Sequence, residues 1–258
     1  MSKAARERSA RERLAAERKR QAARQKQRRL LAIILGSVVT VAVVVVATVL
    51  IIDQQRKNGR AEVHKGALAP LSRQQDGSIV MAKAGVTKPE LEIFEDFQCP
   101  ICKQFEEATG KTIEDLAVQG KVKVVYRPFH LFGQQKDPIK INSLRSAEAA
   151  LCVPADKWIS YHDALFRFQP AEGEEGFSPD DLVKWGKDVG VTDAGFEKCV
   201  RDEQKKSTVD AMTKYALQER GVDGTPTVFL NGQKLESTQF MNPAALRATV
   251  ESAAAAGK

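Results

Sequence analysis

Two cysteines, Cys99 and Cys102, lie where a short apolar segment runs into a helical pattern. The apolar segment, residues 91–97, predicts a strand, and the apolar residues after the cysteines recur at spacings of three and four, which predicts a helix. Pro100 suits the first turn of this helix, where its missing N–H has no partner to lose. The sequence therefore predicts a Cys-x-x-Cys pair at the N-terminus of a helix.

This placement gives the two thiols different chemistry. Cys99 meets the unpaired N–H groups and the positive end of the helix dipole, which favour the thiolate, the species that attacks disulfides. Cys102, one turn later, is shielded and can resolve a mixed disulfide formed on Cys99. A zinc half-site and a purely structural disulfide are the alternatives. A zinc site needs further close cysteines or histidines, and those of this chain are scattered, so we expect a redox pair with no metal and no cofactor.

A second motif lies near the C-terminus. Residues 224–235 predict a strand, an Asn-Gly turn and a second strand, which is a strong hairpin signal. Pro226 opens the first of these strands, where it costs no hydrogen bond of the ladder. An X-Pro bond is the only kind of peptide bond that is readily cis, so the motif offers a cis peptide at Thr225–Pro226.

The segments 94–102 and 224–228 together resemble the DsbA-like branch of the thioredoxin superfamily, and they are most similar to its membrane-anchored actinobacterial members. The resemblance covers about residues 80–255. It implies an α/β, thioredoxin-like fold with an inserted helical subdomain at about residues 138–220, which caps the active site. The amphipathic helical patterns in that stretch are read as core faces of this subdomain.

The resemblance also implies roles for residues around the cysteines. Pro226 is expected to be cis and to pack beside the redox pair. The backbone of Thr225 is expected to line, with Pro100 and Ile101, a groove that takes an extended substrate segment by strand addition.

One position departs from the family pattern. Many relatives carry a buried acid six positions before the first cysteine, where it accepts the proton of the second cysteine. That position is Ile93 in this chain. Glu95 and Asp96 are the candidates for a proton relay to Cys102.

The N-terminal part of the chain has a different composition. Residues 1–29 contain 12 Lys/Arg and 3 Glu, so the net charge of +7 belongs to this tail, and the rest of the chain sums to about −2. Residues 30–52 follow as 23 positions without a charge. As a helix they span about 35 Å, enough to cross a hydrocarbon core of about 30 Å. We expect an uncleaved transmembrane helix, because a signal peptide has a shorter apolar region followed directly by a small-residue cleavage site.

Charge asymmetry orients this segment. Twelve basic residues precede it and only four lie in the twenty residues after it, which predicts a cytoplasmic N-terminus and an extracytoplasmic catalytic domain at the plasma membrane. The tail contains no aromatic residues, so contact with the lipid bilayer is favoured over binding of nucleic acid. Residues 53–78, polar and punctuated by glycine and proline, predict a linker, and the domain is expected at 79–258.

The other two cysteines are Cys152 and Cys199. In an oxidising compartment two remaining cysteines are expected to pair as a structural disulfide, and closing a loop of this size stabilises the fold by about 4 kcal/mol in the entropic model. The alternative is two free buried thiols, since free cysteine packs as a small hydrophobe.

These observations favour a membrane-anchored, single-pass thiol–disulfide oxidoreductase. The leading hypothesis is a dithiol oxidase that introduces disulfides into reduced or unfolded secreted proteins through Cys99 and Cys102. The resemblance implies reoxidation by a membrane redox partner of the DsbB or VKOR type. A disulfide reductase or isomerase of the same fold, or a non-catalytic thioredoxin-fold binding module, remains an alternative.

Overall fold

A computed structural model of the chain describes residues 43–47 and 59–256. Residues 43–47 are helical, while the remainder of the expected transmembrane segment 30–52 and the basic tail 1–29 lie outside the described residues. In the described ranges no helix has the length and apolar character to cross a membrane. The chain divides into two units between Gly59 and Arg60, and the second unit carries the fold described below.

The second unit contains a sheet of six strands in the order β1-β2-β4-β3-β5-β6. The strands are β1 (Leu71–Arg73), β2 (Ile79–Met81), β3 (Glu90–Glu95), β4 (Lys123–Pro128), β5 (Thr227–Leu230) and β6 (Gln233–Lys234). The central strands β3 and β4 are parallel, and every other neighbouring pair is antiparallel. β5 and β6 form the hairpin expected from the Asn-Gly turn, in which Asn231 and Gly232 both have positive φ.

Helices cover both faces of this sheet. They are α1 (Pro100–Val118), α2 (Ile139–Cys152), α3 (Trp158–Arg167), α4 (Pro179–Asp188), α5 (Phe196–Arg201), α6 (Lys206–Lys214), α7 (Ser237–Phe240) and α8 (Pro243–Ala256), with a 3₁₀ turn at Ala155–Lys157 and a π-helical turn at Tyr215–Glu219. The parallel crossover from β3 to β4 is made by α1, as the strand-to-helix pattern around the cysteines predicts. The helices from Ile139 to Glu219 are inserted between β4 and β5.

Strand β3 shows how the sequence produces two cores. Leu91 and Ile93 join one apolar cluster, whereas Phe94 joins the other, because successive side chains of a strand point to opposite faces. Both faces are covered, so the strand is buried at nearly every position, although three of its six residues are glutamates. By the same alternation Glu95 shares the face of Ile93. The carboxylate side chain of Glu95 is therefore buried in the core, on the face of the sheet that α1 covers.

The structure corrects the boundary expected between linker and domain. Residues 53–78 predict a linker, but the folded unit begins at Arg60, and β1 lies inside this range. Ala61 and Ala69 are buried, and the N–H of Ala61 donates a hydrogen bond to Asp188 Oδ2 at 3.1 Å. The polar composition of the segment hides these contacts, because two small alanines supply its buried surface.

The inserted helices carry a disulfide. Cys152, the last residue of α2, is bonded to Cys199 in α5 with an S–S distance of 2.05 Å. The two residues are 47 positions apart in sequence. The bridge therefore joins an early and a late helix of the insertion.

Candidate active site

The start of α1 holds the redox pair. Cys99 is the N-cap residue and Pro100 follows in the first turn. Cys99 is 6% exposed and Cys102 is fully buried, and both are free thiols. Both thiols of the reduced pair are therefore buried, and Cys102 is buried more completely than Cys99.

The surroundings separate the acidities of the two thiols. A hydrogen bond from the Cys102 thiol, opposed by burial and supported by N–H groups of the first helical turn, lowers the pKa of Cys99 to about 6. Burial, together with the neighbouring Cys99 sulfur, raises the pKa of Cys102 well above its ordinary value. Near neutral pH the pair thus holds one thiolate, on Cys99, and one thiol, on Cys102.

The residues expected in the groove lie beside Cys99. The Cys99 thiol donates a hydrogen bond to the carbonyl oxygen of Thr225 at 3.4 Å. The Thr225–Pro226 peptide is cis. Ile101, between the cysteines, is 46% exposed, and Pro100 is partly buried. The fold thus brings two motifs more than a hundred residues apart into contact at one sulfur atom.

Asp96 supports the loop that carries Cys99. Its Oδ1 accepts a hydrogen bond from the N–H of Gln98 at 2.8 Å, and its Oδ2 accepts from the N–H of Leu131 at 2.9 Å and from the Ser143 hydroxyl at 2.5 Å. Burial, and to a lesser degree the Cys99 thiolate, raises the pKa of Asp96 to about 6. Asp96 therefore holds in place the loop of residues 96–99, which carries Cys99 and is called the redox loop below.

Glu95 faces a different partner. Its Oε1 lies 2.8 Å from Nε2 of His162 in α3, and both side chains are buried. Burial alone would lower the pKa of His162, but the charge of Glu95 and the nearby Asp163 outweigh it and raise that pKa well above its ordinary value. The roles of Glu95 and Asp96 in a proton relay to Cys102 stay predictions.

Gln169 is a site residue that the sequence does not reveal. It follows α3, is buried, and donates both amide hydrogens to backbone carbonyls, at 2.7 Å to Phe97 and at 2.9 Å to Cys99. These carbonyls flank the loop that leads into α1. No pattern marks this glutamine in the sequence, because its partners are backbone groups about seventy residues away.

Glu106 is a second site residue that sequence reasoning missed. It lies on α1 four positions after Cys102, so one helical turn separates the two side chains. Burial raises the pKa of Glu106 to about 8. The four-residue spacing from Cys102 was the available signal, but the adjoining Glu107 makes the segment look like an ordinary solvated helix face.

Comparisons with known proteins agree with this geometry. A family model described as thioredoxin matches residues 83–252. The search of curated proteins finds no match. Among solved structures, oxidised DsbA of Mycobacterium tuberculosis is 27% identical with a TM-score of 0.57, covering 71% of this chain and 91% of that chain.

Two further solved structures are similar. The reduced disulfide bond oxidoreductase DsbG of Mycobacterium tuberculosis is 27% identical with a TM-score of 0.58, covering 77% of this chain and 91% of that chain. The thiol-disulfide oxidoreductase MdbA of Corynebacterium diphtheriae is 20% identical with a TM-score of 0.59, covering 73% of this chain and 95% of that chain. The MdbA likeness supports the fold alone, and together these matches confirm the thioredoxin-like α/β fold of the DsbA type.

Proposed function

The chain belongs to the thioredoxin family, and from this membership we propose that it is a dithiol oxidase, which introduces disulfides into reduced secreted or envelope proteins. Thiol–disulfide exchange is the activity of its structural relatives and of this chain. The assignment of Cys99 and Cys102 as the exchanging pair, and the direction of exchange, are what we propose.

The unequal acidity of the two thiols carries this proposal. Cys99 has a pKa lowered to about 6, whereas the pKa of buried Cys102 is raised. A stabilised thiolate favours the reduced form of the pair, and a pair with a stable reduced form is a good oxidant of other dithiols. The same thiolate is a good leaving group when a mixed disulfide is released.

The proposed reaction has two steps. A substrate thiolate attacks the Cys99 sulfur of the oxidised pair, the Cys99–Cys102 bond breaks, and Cys102 takes up a proton. A second thiolate of the substrate then attacks the substrate sulfur of the mixed disulfide, and Cys99 leaves as a thiolate. Two electrons pass from the substrate dithiol to the enzyme pair, and the substrate gains one disulfide.

The groove beside the pair is proposed to hold the substrate. The Thr225 carbonyl already contacts the Cys99 sulfur, and the exposed Ile101 offers an apolar surface on the other side of it. An extended segment that hydrogen-bonds to the backbone at Thr225 would place its cysteine at Cys99.

The location and the reoxidising partner are also part of the proposal. The uncharged segment 30–52 and the basic tail before it support a single-pass anchor with the catalytic domain outside the plasma membrane. The Cys152–Cys199 disulfide supports an oxidising compartment. Reoxidation of the pair by a quinone-coupled membrane protein of the DsbB or VKOR type completes the proposed cycle.

The reduction potential of the Cys99–Cys102 pair tests the direction of exchange. The full-length protein is equilibrated with glutathione buffers, its thiols are alkylated, and the alkyl groups are counted by mass. A potential above about −200 mV supports the oxidase, whereas a value near −270 mV indicates a reductase. A pair that never exchanges with glutathione would favour the non-catalytic binding module.

A trapping experiment tests the proposed intermediate. With Cys102→Ser, the Cys99 thiolate attacks a disulfide of a secreted protein and expels the other sulfur as a thiolate. Residue 102 can no longer release the mixed disulfide that results, so secreted proteins should accumulate covalently on this variant in cells. Cys99→Ser is the matched control and should trap none. Equal recovery of partners by both variants would point to non-covalent binding rather than exchange.

A further inference from the structure

Two buried polar side chains and one partly buried side chain meet on the inner side of α1. Glu95 ends β3, Glu106 lies on α1 and His162 lies on α3. One potential ligand atom of each lies within 4.8 Å of the others. The side chain of Glu95 is fully buried, and that of His162 is 2% exposed. The cluster is built from three separate elements, so only the fold brings it together.

Two carboxylate oxygens in this cluster lack a partner. Oε2 of Glu95 and Oε1 of Glu106 are buried without a hydrogen bond. A buried carboxylate oxygen without a hydrogen bond is costly, and these two point to a missing ligand between them.

The donor set indicates the chemistry of that ligand. One imidazole nitrogen and two carboxylate oxygens are a set that Zn²⁺ accepts, at about 2.0–2.2 Å each, which places tetrahedral ligand atoms about 3.4 Å apart. Ca²⁺ and Mg²⁺ prefer oxygen ligands alone. The observed spread of 4.8 Å or less is compatible with a zinc site after small side-chain shifts.

A carboxylate lies near each ring nitrogen of His162. Nε2 faces Glu95, while Nδ1 lies 3.5 Å from Oδ1 of Asp163 and makes no hydrogen bond. A zinc-bound histidine usually donates its second ring N–H to a carboxylate, so Asp163 would have to move closer to Nδ1 when the metal binds. The rings of Trp158 and Phe97 pack against His162 at 4.8 and 5.6 Å between centroids, so an apolar wall encloses this side of the cluster.

An opening leads to the cluster from the surface. A cavity of about 390 Å³ is lined by Glu106, the one member of the cluster that reaches it, by His64, Glu114 and Asp163, and also by the basic Lys103, Lys111 and Arg167. A hydrated cation could enter by this route and exchange its waters for the buried ligands.

We propose that Glu95, Glu106 and His162 bind one Zn²⁺ ion, with water as the fourth ligand. The ion would tie the end of β3 and the helix α3 of the insertion to α1, directly behind Cys102. This site departs from the expectation of no metal, which rested on histidines that are scattered in sequence.

Metal stoichiometry tests the proposal. The full-length protein is first oxidised, so that the Cys99–Cys102 thiolates cannot take the metal, then stripped with a chelator and titrated with Zn²⁺. Elemental analysis after gel filtration should give one zinc per chain, and thermal unfolding should shift upward. No retained zinc and no shift would overturn the site and would leave water as the ligand of the cluster.

Two variants locate the metal. Glu106→Gln keeps the shape of the side chain but replaces a carboxylate ligand, and it should weaken zinc binding by at least about tenfold. Glu107→Gln, at the exposed neighbouring position, should retain one zinc per chain. Zinc binding that is unchanged in Glu106→Gln and lost in His64→Gln would overturn the assignment, because it would place the ion in the outer cavity.

Discussion

At the scale of single residues, the site works by contrast between two chemically identical side chains. Cys99 is placed where helix N–H groups and the Cys102 thiol stabilise a negative charge, whereas Cys102 is enclosed by apolar surface. The thiol of Cys102 has two functions. It holds the thiolate of Cys99 by a hydrogen bond in the reduced state, and it is the atom that closes the disulfide in the oxidised state.

Removing that thiol should therefore change the acidity of its neighbour. In Cys102→Ala the main hydrogen bond to the Cys99 sulfur is lost, so the pKa of Cys99 should rise from about 6. Cys102→Ser keeps a donor at the same position and should raise it less. The thiolate absorbance near 240 nm and the rate of alkylation, both followed against pH, give the pKa. Equal values in the two variants would show that helix N–H groups alone hold the thiolate.

The same pKa predicts how pH acts on stability. The pKa of Cys99 is about 6 in the folded protein and about 8.5 in the unfolded chain. A lowered folded pKa adds stability that is fully present above pH 8.5 and is lost as pH falls through 6. The reduced protein should therefore gain stability relative to the oxidised protein between pH 6 and 8.5, by at most about 3 kcal/mol.

Urea unfolding of both redox forms at several pH values measures this gain. The carboxyl groups, such as Asp96, are present in both forms, so most of their contribution cancels in the comparison. A difference between the two forms that does not change with pH would contradict the low pKa of Cys99.

Much of this could be predicted from the sequence at the residue scale. The strand, the Cys-x-x-Cys spacing and Pro100 together specify the thiolate at a helix start, because all the groups involved are local. The side chain of Thr225 also lowers the pKa of Cys99, and the two-motif resemblance predicted that Thr225 lies beside the redox pair. Glu106 and Gln169 were missed because their significance comes from partners on other elements.

At the scale of elements, the insertion and the thioredoxin core meet at the redox loop. Gln169, just after α3, holds the carbonyls of Phe97 and Cys99, and Ser143 of α2 holds Asp96. The inserted helices are thus attached to the same few residues that position Cys99. We infer that their packing affects the redox pair as well as the stability of the domain.

Gln169→Leu should show this attachment. The change leaves the buried Phe97 carbonyl without its hydrogen bond, at about 1–3 kcal/mol where water cannot replace it, while the Cys99 carbonyl keeps the bond from the N–H of Lys103. We expect a loss of about 1–3 kcal/mol in the free energy of unfolding and a shifted pKa of Cys99. Gln104→Leu, at an exposed position of α1, is the control. A loss of stability with the pKa of Cys99 unchanged would make Gln169 structural only.

The disulfide between the inserted helices is expected to contribute to the free energy of unfolding. Cys152 and Cys199 close a loop of 47 residues, for which the entropic model gives about 4 kcal/mol. The double variant Cys152→Ser and Cys199→Ser should lower the free energy of unfolding by up to that amount. Exchange at Cys99 with a dithiol peptide should continue in the folded fraction. Loss of exchange in molecules shown by circular dichroism to be folded would instead assign the bridge a role in the reaction.

At the scale of the whole molecule, the folded unit is longer than its composition indicates. Residues from Arg60 onward run along the inserted helices before β1 joins the edge of the sheet. The N–H of His64 donates to the Ser160 hydroxyl at 3.0 Å, and Arg73 donates to the Val153 carbonyl at 2.6 Å. Residue patterns predicted β3, α1 and the β5–β6 hairpin, but the polar composition of this segment assigned it to a linker, because its contacts are made by backbone groups and single side chains.

Two fragments of the chain test whether residues 60–78 are a linker or a part of the folded unit. A chain that begins at residue 60 should fold, unfold cooperatively and exchange thiols like the full-length protein. A chain that begins at residue 79 lacks β1 and the buried Ala61 and Ala69, so its melting temperature should be markedly lower. Thermal unfolding followed by circular dichroism compares them. Equal melting temperatures of the two fragments would show that residues 60–78 add no stability and act as a linker.

The Cys152–Cys199 disulfide is itself a product of the kind of reaction that is proposed for the redox pair. A newly synthesised chain has four thiols, and two of them, Cys152 and Cys199, must be oxidised before the disulfide joins the inserted helices. If mature molecules oxidise this pair of thiols in newly synthesised chains, maturation is autocatalytic. Its rate is low while few mature molecules are present and increases as their number grows. We expect a lag when purified reduced chains are oxidised by oxidised glutathione, which takes up the two electrons per disulfide, and a trace of mature enzyme added at the start should abolish the lag.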